Sequence, residues 1–353
     1  MNGNAFIINF SDPILITGAS GFIGSKVVEN LIDHGFTNLR CLVRPSSNLA
    51  SLKKIIENNE HAKIQIIKGN LQSRTDCAIC AEGVSVIYHL AAGRGEKSYA
   101  DAFMNSVVTT RNLLDTISGS PQFKRFVNIS SFAVYSNQKI SPGGLLDESC
   151  AIEDEPHKTG EAYCYAKVRQ DELVMDYGEK YNIPYVIARP AVVYGPGSKG
   201  ISGRVGIGTF GIFLHLGGQN RIPLTYVDNC AEAIVLAGIV DGVDGEVFNI
   251  IDDNPPTSRE LLKAYKQKVG WFPSIYLPHF LSHLLSFVWE KYSEWSERQL
   301  PPTFNCKRWE NYWKGNTYSN KKIKQRLNWK VRIDANEAIS RYFEYQNQVG
   351  ENK

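Results

Sequence analysis

Short apolar runs alternate along the chain with stretches in which apolar residues recur every three or four positions. The runs at 14–17, 39–44, 64–69, 84–92, 125–131 and 184–190 are rich in Ile, Val and Leu and almost unbroken. Such runs predict strands covered on both faces. The stretches at 20–34, 102–117 and 163–181 have helical spacing and predict helices. This alternation predicts an α/β fold, a doubly wound parallel sheet with its ligands at the carboxyl ends of the strands. After Pro190 the pattern changes. Residues 195–211 are glycine-rich and predict loops over a site, 226–239 predicts a helix, and 245–251 predicts one more strand. From Pro255 onward the chain reads as helical and aromatic, and all 6 tryptophans lie there. A smaller lobe that closes over the ligand is expected from this part.

With 353 residues, 39 basic and 36 acidic, the chain carries a net charge of +3. That balance argues against bulk nucleic-acid binding. The start "MNGNAFIINFSDP" has neither the basic region nor the apolar core of a signal peptide, and no run is long enough to span a membrane. The 7 cysteines are odd in number and scattered, unlike a disulfide framework. A soluble, cytoplasmic protein is expected. Cys77 and Cys80 form a lone CxxC, and His279 with His283 could share a helix face without a third ligand. Both read as structural, and no metal site is expected.

Candidate chemistry begins at "ITGASGFIG". Gly18, Gly21 and Gly24 stand three apart between a strand and a helix, which is the pattern of a dinucleotide-binding turn. The first glycine makes the turn, the second lets backbone N–H groups reach a pyrophosphate, and the third lets helix and strand pack closely. Tyr163 and Lys167 form YxxxK on one face of a predicted helix. A phenol with pKa ~10 is a poor acid–base catalyst at neutral pH unless an ammonium beside it favours the phenolate. Ser130 and Ser131 close the strand "RFVNISS" at a carboxyl edge, where a hydroxyl could bond a substrate oxygen.

In this order and spacing the motifs resemble the extended short-chain dehydrogenase/reductase family, which includes nucleotide-sugar epimerases and dehydratases, 3β-hydroxysteroid dehydrogenases and dihydroflavonol reductases. The likeness rests on TGxxGxxG at 17–24, "HLAA" at 89–92, "SSFAVY" at 130–135, YxxxK at 163–167, "RPAVVYGPG" at 189–197 and "YVDNCAEAI" at 226–234. It continues through 248–265 to 318–339 and so covers nearly the whole chain. It implies a Rossmann-type domain at 11–190 plus about 225–251, and a mainly helical substrate lobe at 191–224 and 252–345. It also implies Tyr163 as general acid/base, Lys167 as its activator and ribose partner, and Ser131 as the holder of the reacting oxygen. Cofactor contacts are implied for Gly18, Ser20, Gly21, Phe22, Ile23, Gly24, Asn70, Leu71, Leu90, Ala91, Ala92, Pro190 and Val193, with Tyr163 and Lys167. The chain departs from the family pattern at Ala166, Ser136 and Asn70. Phe132-Ala133 stand where the dehydratase branch carries Asp-Glu, which argues against a 4,6-dehydratase.

The second strand ends without an acid, on Arg44 and two serines, so NADP(H) is expected over NAD(H). The first reading of the substrate is a nucleotide-activated sugar. The alternative is an apolar or lipid-borne alcohol or ketone, as in the steroid and dihydroflavonol branches, and a non-catalytic dinucleotide sensor is the third. Between Arg298 and Arg332 ten Lys and Arg face one acid, Glu310; this local excess would suit a diphosphate. In 277–295, Leu281, Leu284, Leu285, Val288, Tyr292 and Trp295 form one helical stripe. Core packing is the simplest expectation for the stripe; a homodimer interface or peripheral membrane contact would also use it.

Overall fold

The computed structural model describes residues 5–93, 98–158, 161–198, 202–296 and 304–351. Its centre is a sheet of seven strands: β1 (Ile14–Thr17), β2 (Asn38–Val43), β3 (Lys63–Lys68), β4 (Val86–His89), β5 (Arg125–Ile129), β6 (Tyr185–Pro190) and β7 (Val247–Ile250). Every pairing in it is parallel, and the strands lie side by side in the order β7-β6-β5-β4-β1-β2-β3. The chain starts in the middle, builds outward to β3, and returns to build the other half from β4. The reversal between β1 and β4 opens a crevice at their carboxyl ends. All residues of β1, β4 and β5 are buried, which is why these strands are apolar without alternation.

The crossovers are α1 (Phe22–Asp33), α2 (Ala50–Asn58), α3 (Arg74–Ala81), α4 (Tyr99–Phe103), α5 (Thr109–Ile117), α6 (Ala162–Tyr181) and α7 (Val227–Ile239). Helices α2 and α3 have no counterpart in the sequence reading. Helix α2 buries only Leu52 and Ile55, too few to set up a visible period. The helix expected at 102–117 begins earlier, at Tyr99, and is interrupted by a π-helical turn, Met104–Val108. The strand expected at 84–92 ends at His89, because Leu90–Ala92 leave the sheet where Ala91 N donates to Thr17 Oγ1 (3.2 Å). Cys77 and Cys80 are free and buried on α3, with their thiols pushed up by burial to about 11 and about 12.

Beyond the sheet the chain forms α8 (Ser258–Lys268), α9 (His279–Trp295), α10 (Cys306–Tyr312), α11 (Lys321–Leu327) and α12 (Ala335–Glu351). The loops expected in 195–211 are partly strand. Gly206–Thr209 pairs antiparallel with Ile212–His215, and Ser274–Tyr276 adds a third, parallel strand. Glycines at 206, 208 and 211 obscured the alternation that Ile207, Ile212 and Leu214 carry.

Two expectations for this region need correction. The stripe on α9 is not core. Ser282, Ser286 and Ser293 form the buried side of the helix, while Leu284, Leu285, Val288, Tyr292 and Trp295 are exposed. Half of the ten cations of 298–332 are paired with acids that folding brings to them. Lys307 meets Glu153 (3.3 Å), Lys322 and Arg326 meet Glu246 (2.7 and 3.3 Å), Lys324 meets Asp253 (2.5 Å), and Arg332 meets Glu232 (2.5 Å). Arg298 lies outside the described residues. His279 and His283 both stand against the Trp309 ring.

Candidate active site

The glycine turn is shaped by what a side chain would strike. Gly18 has φ +68°, and a Cβ there would sit 3.0 Å from Ala91 N. Gly21 N donates to Gly18 O (2.9 Å), and a Cβ on Gly24 would collide with the same carbonyl. Helix α1 therefore starts immediately against the end of β1. No side chain caps it, and its first turn carries no acid. That leaves a helix N-terminus directed at the crevice and open to a pyrophosphate. A cavity of about 1030 Å³ lies there, and every candidate site residue proposed above lines it, from Gly18 to Val193. Arg44 is exposed at the end of β2, with Ser46 and Ser47 beside it on the cavity wall. The residues present thus fit a dinucleotide.

Ser131, Tyr163 and Lys167 line the same cavity. Ser131 caps a short 3₁₀ turn, Phe132–Val134, its Oγ accepting from Ala133 N (3.2 Å). The Tyr163 phenol is hydrogen-bonded to the Ser131 side chain; burial raises its pKa and this bond lowers it. Lys167 lies one turn further along α6. Its Nζ donates to Ile129 O (2.5 Å) and to Gln170 Oε1 (2.8 Å). Burial lowers the ammonium to about 8, opposed by the charge of Asp171. Asp171 is itself held by Asn128, Ser130 and Arg189, with contacts of 2.8–3.2 Å.

The family model for the NAD-dependent epimerase/dehydratase family matches residues 14–250. The chain belongs to that family. One relative is a trifunctional UDP-glucose 4,6-dehydratase, UDP-4-keto-6-deoxy-D-glucose 3,5-epimerase and UDP-4-keto-L-rhamnose reductase of Arabidopsis thaliana. It is 28% identical over 254 residues, 67% of this chain and 36% of the relative. The chain thus spans about a third of that protein's length. A decarboxylating sterol-4-alpha-carboxylate 3-dehydrogenase of Candida albicans is 28% identical over 298 residues, 78% of this chain and 81% of that one. Among solved structures, the UDP-glucuronic acid 4-epimerase of Bacillus cereus shares the fold. Its TM-score is 0.69 at 19% identity, over 96% of this chain and 99% of that one.

Within this family frame, a buried polar relay behind the cavity went unread in the sequence. Gln170 Nε2 donates to Thr110 Oγ1 (2.8 Å), and Thr110 Oγ1 donates to Ser106 O (2.6 Å). The single Thr110 proton is thereby engaged, so the contact with His89 Nε2 (2.9 Å) requires the imidazole to donate. His89 Nδ1 then accepts from Thr17 Oγ1 (2.9 Å), and Thr17 accepts from Ala91 N (3.2 Å). This fixes a neutral imidazole, in line with burial and the nearby Lys167 pushing its pKa down to about 3. The relay ties the glycine turn to the ammonium across the sheet. Asn105 and Thr109 also line the cavity. Their signal was available as two polar pairs one helical turn apart, Asn105-Ser106 and Thr109-Thr110. Phe132 is buried against Tyr135 and Tyr318, and it brings no acid to the site.

Proposed function

We propose that this protein is an NADP(H)-dependent oxidoreductase or epimerase acting at a secondary alcohol or ketone carbon. The observation that carries the reading is the meeting of Ser131, Tyr163 and Lys167 with the glycine turn around one cavity. A bound nicotinamide would supply or accept the hydride. The protein's own part is proton handling and position. Tyr163 takes the hydroxyl proton as the carbon is oxidised, or returns it on reduction. Lys167 holds a positive charge within one helical turn of that phenol and favours its ionised form. Ser131, bonded to Tyr163, holds the substrate oxygen beside it. Arg44 replaces the acid that would bind a ribose 2′-hydroxyl, which supports NADP(H).

For the substrate, the first reading is a nucleotide-activated sugar, supported by the UDP-sugar chemistry named for the plant relative. The pairing of five cations of 307–332 with acids favours a second reading, an apolar alcohol such as a sterol, because those cations are engaged within the protein. The sterol dehydrogenase relative, matched over most of both chains, supports it too. One thermal-shift panel separates these readings. UDP-glucose and UDP-glucuronic acid should raise the melting temperature in the presence of NADPH, and sterols should not. Stabilisation by sterols alone would install the second reading. NADPH should stabilise more than NADH, and Arg44→Ala should erase that difference; equal shifts unmoved by the substitution would remove the cofactor assignment.

A further inference from the structure

Helix α9 turns its polar side inward. Trp309 Nε1 donates to Ser282 Oγ (2.8 Å) and Ser286 Oγ donates to His283 O (2.7 Å) on the buried side. The outward side carries Phe280 (77% exposed), Leu284, Phe287, Val288, Tyr292 and Trp295 (78% exposed). At 100° per residue these positions span an arc of roughly 140°, wider than the two-in-seven seam of a helix pair. Lys291 is the charge within that arc. Glu290 lies toward the buried edge, where it accepts from Cys306 N (3.0 Å), and Glu294 pairs with Lys291 (2.8 Å).

The flanking chain is equally bare of charge. Residues 269–289 contain no Asp, Glu, Lys or Arg, yet Trp271 and Ile275 are also exposed. Beside them stands the two-residue hairpin tip Phe210-Gly211, joined to this segment where Phe213 N donates to Pro273 O (3.0 Å). Phe210 is fully exposed with φ +46°. A bulky residue in the left-handed region, at a tip where Asn-Gly would be least strained, gains nothing from the fold. Lys266 Nζ edges this surface, 5.6 Å from the Trp271 ring, and Lys263 and Lys268 are exposed on the same helix, α8. Apolar exposure on this scale marks a docking surface.

We propose that this face docks on a bilayer containing anionic lipid, with α9 lying in the plane of the headgroups. Tyr and Trp place an apolar ring and a polar tip at the water boundary, and Lys291 can snorkel from within the arc. The lysines of α8 complement anionic headgroups. Among the described residues no helix is long and apolar enough to cross a membrane, so α9 rests on the surface. A second copy paired through α9 would cover a narrower strip and leave the hairpin tip unused.

The test requires no turnover and is independent of the substrate reading. The full chain is sedimented with phosphatidylcholine vesicles, with and without phosphatidylglycerol, in low salt. It should pellet with the anionic vesicles. The triple substitution Phe280→Ser/Leu284→Ser/Trp295→Ser should weaken pelleting about tenfold or more while stabilisation by NADPH is kept. Lys263→Glu/Lys268→Glu should weaken binding to anionic vesicles alone. If the triple variant fails to fold, a blue shift of wild-type tryptophan fluorescence on adding anionic vesicles serves instead. A wild-type chain that stays in the supernatant with no such shift overturns the proposal. So does a wild-type dimer that the triple substitution dissociates while neither protein binds vesicles, which would assign the face to a second copy.

Discussion

Helix α1 turns Val27, Val28, Leu31 and Ile32 into the core, whereas α9 turns three serines inward and leaves Leu284, Val288 and Trp295 outside. Both are amphipathic. The difference lies in what waits on the other side. Helix α1 has the apolar side of α7 and the sheet to pack against. Behind α9 stand Trp309 of α10, which needs an acceptor for its indole N–H, and Cys306. Small hydroxyl side chains fit that backing and let the helices approach. A periodic pattern therefore reveals that a helix has two faces, and the neighbours decide which one goes in.

The widest gap between the two regions should appear in turnover. Tyr163→Phe removes the phenol proposed to handle the proton and should lower turnover by about 10²–10⁴-fold, the range for a lost general acid/base. Stabilisation by NADPH should be kept. Near wild-type turnover in this variant would take Tyr163 out of the mechanism. Trp295→Ser on α9 should leave turnover on a water-soluble substrate unchanged.

Stability should separate the helices next. Leu31→Ala empties a fully buried site and should cost about 2–5 kcal/mol in urea unfolding. Leu284→Ala removes a side chain already in contact with solvent and should stay within about 0.5 kcal/mol. Comparable losses at both positions would show that the α9 face is covered in solution, and the contrast between the helices would collapse.

The same contrast explains what was legible in the sequence. Six of the seven central strands and the glycine turn are set by local signals: short apolar runs, buried throughout in β1, β4 and β5 but only partly covered in the edge strand β3, and three glycines whose Cβ atoms have no room. The last strand and α7 were equally plain, since nearly every α7 residue is buried. What stayed hidden depends on contacts distant in sequence. The acids that pair with 307–332 lie at Glu153, Glu232, Glu246 and Asp253, so a window along the chain sees only the cations. The relay from Thr17 through His89, Thr110 and Gln170 joins four elements, and each member alone is an unremarkable core polar residue. The orientation of α9 was hidden for the same reason.

Charges offer the finest test of inside against outside, because the molecule carries buried and exposed cations alike. Lys291 is exposed on α9, while Lys167 is 3% exposed beneath the site. In an unfolded chain a lysine holds its proton to about 10.5, and burial brings Lys167 down to about 8. Between these values the unfolded chain binds more protons than the folded one, so this group makes stability climb with pH, by up to about 1.4 kcal/mol per unit. Below pH 8 both states are protonated and the contribution is level. Buried thiols and phenols with raised pKa, such as Cys41 and Tyr135, act in the opposite sense above their ordinary values. They are present in both proteins when the wild type is compared with Lys167→Met, so the difference between the two stability profiles isolates the lysine. That difference should rise from pH 8 to 10.5 and be flat below. A Lys291→Met variant should show no such slope. A flat difference for Lys167 across the window would mean that the folded chain keeps the ammonium as readily as water does. Burial would then not tune the charge beside Tyr163, and the relay through Gln170 would serve position alone.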